Sequence, residues 1–317
     1  MLPDIDSVRV AARRIAPHVH RTPVMQSRTL DALCGAKVFL KCEHLQKVGA
    51  FKARGACNAV FSLTDAEANR GVATHSSGNH GAGLAWAAAL RGIPAHVVVP
   101  ANANRSKRAN IARYGAHIVE CAPTLAARES TLAEVLARTG ASAVPPYDDA
   151  RVVAGQGTAA LELLEQTDGL DVLLSPVGGG GLLSGTAIVG RSAGLRVLAA
   201  EPLGANDAAR SLACGERQPQ SDPHTIADGL RTSLGELNFA IIRRDVEAIV
   251  TVSEAQIVAA MRLVWELTKQ LIEPSSATVI AALLAEPGRF AGQRVGAILS
   301  GGNVDLDMPL PWTETPA

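Results

Sequence analysis

The chain has 317 residues, 47% hydrophobic and 19% charged, a globular composition without a disordered signature that suits two domains or one large α/β unit. Lysine plus arginine and aspartate plus glutamate each number 30, so the formal net charge is zero and the electrostatic case for nucleic acid or an acidic membrane as partner falls away. Five scattered cysteines with no CxxC pair indicate neither a zinc site nor a disulfide framework and fit a reducing cytoplasm.

In chain order, "MLPDIDSVRV" carries two aspartates and no apolar stretch, so it does not read as a signal peptide. "KVGAFKARGA" (47–56) puts Lys52 directly after an aromatic, in a Gly/Ala-rich stretch that looks like the start of a buried helix. A charged amine stays buried only with a partner, so Lys52 either reaches solvent, as an ordinary lysine does, or is used for chemistry. From residue 71 the pattern alternates. "SGNHGAGLAWAAAL" is helical, "AHVVVP" a strand, "RSKRANIARYG" helical, "AHIVECA" a strand and "LAARESTLAEVLARTG" a helix ending at Gly140. "AVPPYDD" (143–149) is the best compositional boundary. A second series follows: "GTAALELLEQT" (helix), "DVLLSPV" (strand), "LLSGTAIVGRSA" (helix), then "LRVLAAEP" and "DVEAIVTVS" (strands). "EAQIVAAMRLVWELTKQ" aligns Ile257, Met261, Val264 and Leu267 on one helical face. "SSATVIAALLAE" is a further helix, "QRVGAILSGGN" a last strand, and "MPLPWTETPA" trails on the surface. Short apolar strands between helices imply parallel sheets of βαβ units, in two α/β lobes with a cleft between them. The longest apolar run, around 172–190, is broken by Pro176 and four glycines, so it reads as strand, loop and helix and not as a membrane span.

Three further stretches bear on chemistry. "SPVGGGGLLSG" (175–185) follows a strand and opens a helix, leaving backbone N–H groups to face an anion at the positive end of the helix dipole; the alternative is a flexible turn. No register supplies G-x-G-x-x-G, because Leu183 or Ser184 falls on the last glycine, and no Gly-Lys-Ser/Thr follows. A phosphate monoester fits better than a dinucleotide. A lysine plus such a cradle is the minimum needed to hold pyridoxal phosphate. "THSSGNHG" (74–81) gathers Ser76, Ser77, Asn79 and His80 at a helix start, which is either an ordinary N-cap or a seat for a substrate carboxylate. "ILSGGN" (298–303) ends a strand with Ser300, placed for a ring nitrogen or a plain strand exit.

The ordered set "GAFKARGA", "SSGNHG", "PVGGGGLLSG" and "LSGGN" resembles the fold-type-II pyridoxal phosphate enzymes, nearest the branch of serine racemase, threonine/serine dehydratase and 3-hydroxyaspartate dehydratase. The resemblance runs over nearly the whole chain, including "IADGL" and "LIEP". It implies an α/β fold, two-lobed and three-layer αβα with parallel-rich sheets, like tryptophan synthase β. Residues 1–64 and 149–317 would form the large cofactor-binding domain and 65–148 the small one. By the same resemblance Lys52 binds the cofactor aldehyde with Phe51 beside the ring, and Asn79 bonds the ring O3′. Gly178, Gly179, Gly180, Gly181 and the Leu182 amide hold the phosphate, and Ser300 faces the pyridine nitrogen. Ser77 matches the serine that works opposite Lys52, while Ser76, His80 and Arg128 hold the substrate carboxylate, with Thr232 a further candidate.

"EPLGAND" (201–207) resembles the branch's Mg²⁺, Mn²⁺ or Ca²⁺ site, with Glu201, Asp207 and the Ala205 carbonyl as ligands; without the resemblance it reads as two surface carboxylates after a strand. Ala50 stands where many relatives have serine, which tilts the substrate towards 3-hydroxyaspartate. The implied activity is β-elimination of water from a 3-hydroxy amino acid (hydroxyaspartate, threonine or serine), releasing a keto acid and ammonia. Serine racemase is the alternative, and non-catalytic phosphate binding the third reading. The expected setting is a cytoplasmic homodimer acting on a small amino acid, with no C-terminal domain for feedback by isoleucine.

Overall fold

The computed structural model describes residues 2–103, 105–307 and 310–312. Their strands are β1 (Val24–Met25), β2 (Lys37–Cys42), β3 (Val72–His75), β4 (Ala95–Pro100), β5 (His117–Cys121), β6 (Ser142–Ala143), β7 (Val172–Pro176), β8 (Arg196–Pro202), β9 (Ala248–Val252) and β10 (Arg294–Leu299). A six-stranded sheet runs β1-β2-β10-β7-β8-β9, and a four-stranded sheet runs β5-β4-β3-β6. The pairings are parallel except for β1 against β2. The small sheet draws only on residues 72–143.

The strands of the large sheet are continuous apolar runs because helices cover both faces. Along β7, Val172 and Leu174 point to one side, where they meet Ile257, Met261 and Val264 of the helix Glu254–Thr268 and the helix Pro274–Ala285. Leu173 points to the other, into a core built from the helices Ala150–Gln166, Gly181–Ser192 and Glu236–Asp245. This is the period-two alternation of a strand, and it yields the three layers. Fold class and parallel-rich sheets are as expected from the motifs.

Two differences have clear physical causes. The helix expected from residue 157 begins seven residues earlier, at Ala150, where the Asp149 carboxylate accepts the Arg151 and Val152 N–H groups at 2.8 and 3.2 Å. Its glycines hid the extension, yet they are contact points: a Cβ on Gly155 would lie 2.6 Å from Gly55 Cα, and one on Gly157 2.9 Å from the Gly185 carbonyl. The tail also does not simply trail on the surface. Trp312 packs on Trp265, ring centroids 5.5 Å apart, although residues 308–309 and 313–317 of that stretch lie outside the described residues.

The buried Arg54 pairs with Glu43 (Nε to Oε2, 2.7 Å) and Glu162 (Nη1 to Oε1, 2.7 Å), and the buried Lys41 joins Glu162 at 2.8 Å. This network locks β2, the helix Lys52–Phe61 and the helix Ala150–Gln166 to one another; removing one partner would strand a buried charge. Among the described residues no helix is long and apolar enough to cross a membrane.

Candidate active site

Lys52 opens the helix Lys52–Phe61, straight after a tight turn in which Val48 and Gly49 have φ of 57° and 71°. The turn is stapled to the exit of β10. Ala50 bridges to Gly301, the Phe51 N–H donates to the Ser300 carbonyl at 3.0 Å, and Asn303 Nδ2 donates to the Val48 carbonyl at 2.8 Å. Lys52 and Ser300, 248 positions apart in sequence, are thereby fixed side by side. The Lys52 side chain is walled in by protein but still partly reached by solvent. Its Nζ donates to the Pro146 carbonyl at 2.7 Å and lies 5.1 Å from the Phe51 ring centroid. Burial pulls its pKa down to about 8, against an opposing pull from the Glu273 carboxylate.

The glycine loop leaves the C-terminal end of β7 and runs into the helix Gly181–Ser192, whose first N–H groups have no intrahelical acceptor. Gly180 has φ +94°, a conformation that strains any L side chain. The loop is close-packed: a Cβ on Gly178 would lie 2.8 Å from Leu230 Cα and 3.3 Å from Thr232 Oγ1, and one on Gly179 2.3 Å from the Tyr147 ring. The Cβ side of the loop is thus packed against protein, and the Leu182 N–H has no intrahelical acceptor, so what the loop can offer an anion is backbone N–H groups.

The helix Asn79–Arg91 brings a third set of groups. Its N–H donors at Asn79, His80 and Gly81 precede the first intrahelical bond. The Asn79 amide is fixed in orientation, donating to both Glu273 oxygens (3.1 and 3.0 Å) and accepting from Asn303 at 2.9 Å. Ser76 Oγ accepts from the Gly78 N–H at 3.4 Å, and Ser77 is half-buried beside it. The His80 imidazole is turned away into the core, with Nε2 on the Val144 carbonyl at 2.9 Å. Burial, then the charge of Lys52, push its pKa down to about 3. It is neutral, so what His80 offers at the helix start is its backbone N–H. Burial lowers the His75 pKa, Glu129 opposes it, and Arg128, on the helix Leu125–Thr139, adds a smaller lowering; the Arg128 Nε is buried with no hydrogen-bond partner.

Tyr147, Asp148, Glu273 and Asn238 do not stand out as site residues in the sequence, yet all touch these groups. Two signals were available: the pair of aspartates in "PPYDD", the residue type that caps helices, and the glutamate of "LIEP".

The metal candidates lie together at the C-terminal end of β8. Glu201 is fully buried and accepts the Ala208 and Ala209 N–H groups at 3.0 and 2.8 Å. Asp207 Oδ2 accepts the Leu234 N–H at 2.8 Å, while its Oδ1 is buried with no partner. Burial, then the nearby Asp207 charge, push the Glu201 carboxyl up to about 8. Among the described residues there is no group of three or more His, Cys, Asp or Glu around an ion site, so a cation here would need the buried Ala205 backbone carbonyl and water as well.

Residues 15–301 match the family described as pyridoxal-phosphate dependent enzyme. The chain belongs to that family. It is 50% identical over 313 residues to the beta-hydroxyaspartate dehydratase of Paracoccus denitrificans (strain Pd 1222), covering 98% of this chain and 99% of that one. It is 43% identical over 309 residues to the L-threo-3-hydroxyaspartate ammonia-lyase of Saccharomyces cerevisiae, covering 96% and 95%. The crystal structure of serine racemase from Dictyostelium discoideum superposes with a TM-score of 0.93 at 47% identity, covering 96% of this chain and 99% of that one. The residues present fit the family's cofactor: a lysine amine with lowered pKa, and a close-packed glycine loop running into a helix whose first N–H groups have no intrahelical acceptor.

Proposed function

We propose that this enzyme is a pyridoxal-phosphate-dependent ammonia-lyase that eliminates water from a 3-hydroxy amino acid and releases a keto acid and ammonia, with 3-hydroxyaspartate as the preferred substrate. The observation that carries this reading is the walled-in Lys52 amine, lowered to about 8, fixed beside Ser300 in a chain that also presents a glycine cradle.

When bound, the cofactor supplies an electron sink for the charge left at the substrate's Cα. Lys52 would hold its aldehyde, and the N–H groups of the glycine loop and Leu182 its phosphate. Once free, the Lys52 amine takes the Cα proton; a base with pKa near the working pH combines availability with driving force. The N–H groups of Asn79, His80 and Gly81, with the Ser76 and Ser77 hydroxyls, would seat the α-carboxylate. Arg128, whose buried Nε has no partner, supplies the cation that a second carboxylate needs, which favours hydroxyaspartate over serine and threonine. The names of the Paracoccus and yeast relatives point the same way.

Serine racemisation is the second reading, favoured by the Dictyostelium serine racemase structure and by the half-buried Ser77 hydroxyl as a second proton carrier. We also assign a Mg²⁺, Mn²⁺ or Ca²⁺ ion to Glu201, Asp207 and the Ala205 carbonyl, because the unpartnered Asp207 oxygen and the two close carboxylates need a compensating charge and the donors are all hard oxygens. A cytoplasmic homodimer completes the proposal.

Borohydride reduction of the cofactor-loaded protein followed by peptide mapping tests the core of the reading. The cofactor should be trapped on Lys52; a label on another lysine, or none, overturns it. D-serine formed from L-serine faster than pyruvate would favour the racemase.

A further inference from the structure

The connector from β6 to the helix Ala150–Gln166 is tied down residue by residue. Val144 accepts from His80 and Pro146 from Lys52 Nζ. The Tyr147 carbonyl accepts from Asn238 Nδ2 at 3.1 Å, and the Asp148 carboxylate caps the helix Glu236–Asp245 by accepting the Glu236 and Leu237 N–H groups, each at 3.1 Å. Asn238, fully buried in the first turn of that helix, is the node. Its Nδ2 also donates to the Gly179 carbonyl at 2.9 Å and lies 3.4 Å from Asp148 Oδ1. All three neighbours are acceptors, so the amide nitrogen must face them, and its Oδ1 is left buried without a partner.

The Gly179 carbonyl is held twice, by Asn238 and by the Gly235 N–H at 3.1 Å. A trans peptide is planar, so a carbonyl pinned towards Asn238 aims the N–H of Gly180 the opposite way. The φ of +94° at Gly180 then continues the turn into the helix N-terminus. From this we infer that Asn238 is a positioning residue for the cofactor phosphate: it orients the Gly179–Gly180 peptide so that its N–H serves the anion. Through the Tyr147 carbonyl it also sets the register of the cradle against the stretch that holds the Lys52 amine. The inference rests on the reading that the glycine loop holds the phosphate.

The test compares binding of pyridoxal phosphate and of pyridoxal, which lacks the phosphate, to cofactor-free wild type, Asn238→Asp and Asn238→Ser. A carboxylate at 238 faces the Gly179 and Tyr147 carbonyls and the Asp148 carboxylate, which turns the peptide away and favours the protonated form at 238. Asn238→Asp should therefore weaken pyridoxal phosphate about tenfold near pH 8, with partial recovery near pH 6, where a protonated carboxyl can donate one bond. Pyridoxal binding should be unchanged. Asn238→Ser keeps one donor, so it should lose less, and it serves if the aspartate variant does not fold. If both ligands weaken together, or neither does, Asn238 is structural and the inference fails. If wild type itself binds the two ligands equally, the phosphate reading fails first and takes this inference with it.

Discussion

Lys52 has a lowered pKa because its amine is surrounded by protein and has one neutral acceptor, the Pro146 carbonyl, while Glu273 moderates the shift from nearby. A base works only when deprotonated, so kcat should rise with pH as the Lys52 amine loses its proton, below the ordinary lysine range. Glu273 raises the Lys52 pKa, so Glu273→Gln should move that limb to lower pH; a limb that stays put or moves up would mean that another group is the base. Lys52→Ala should abolish turnover and the cofactor's visible absorbance shift while leaving the fold intact, checked by circular dichroism. Glu201 gives a prediction of opposite logic. Its carboxyl is pushed from 4.5 up to about 8, chiefly by burial, so the folded state holds the proton more tightly than the unfolded one. Without metal, the stability from that proton is present below pH 4.5 and lost as pH rises through about 8. A divalent cation takes over the proton's role, so the gain in Tm on adding Mg²⁺ or Ca²⁺ should grow across this window and vanish in Glu201→Gln. A Tm indifferent to cations near pH 8 would remove the metal assignment.

The glycine loop shows what a short element can reveal in sequence and what it hides. Its strand–glycine–helix pattern was legible in the sequence, and the positive φ of Gly180 shows that the turn into the helix favours glycine there. Gly180→Ala should cost about 1–3 kcal/mol from backbone strain alone. The added Cβ would also stand 2.7 Å from the Asn238 Cβ, so cofactor affinity should fall at least about tenfold by equilibrium dialysis; wild-type affinity would show that the loop is not the cradle. The supports of the loop were not legible. Asn238 lies 59 positions from Gly179, and Tyr147 stands 32 before it on a connector that composition marks only as a boundary. Neither residue shows its role in a periodicity or local motif, since each acts through one side-chain or carbonyl contact that tertiary packing creates. The Arg54–Glu43–Glu162 network was invisible for the same reason: each charge looks solvated until helices close over it.

Over the whole molecule, alternating strands and helices were enough to place two parallel-rich sheets, because buried parallel strands are unbroken apolar runs and their crossovers are amphipathic. The order in the large sheet was not readable. It puts β10, from the end of the chain, between β2 and β7, and so brings Ser300 to Lys52 and leaves the glycine loop one strand away. Ligands in such sheets bind beyond the carboxyl ends of the strands, where β7, β8 and β10 deliver the glycine loop, Glu201 and Ser300. The substrate's side chain is what now separates the readings. Keto-acid and ammonia release by the cofactor-loaded protein should be measured with the 3-hydroxyaspartate stereoisomers, L-serine and L-threonine in parallel. Oxaloacetate and ammonia should form in equal amounts from one hydroxyaspartate isomer, well ahead of pyruvate from serine. No keto acid from any of these substrates, with cofactor bound on Lys52, would contradict the lyase assignment.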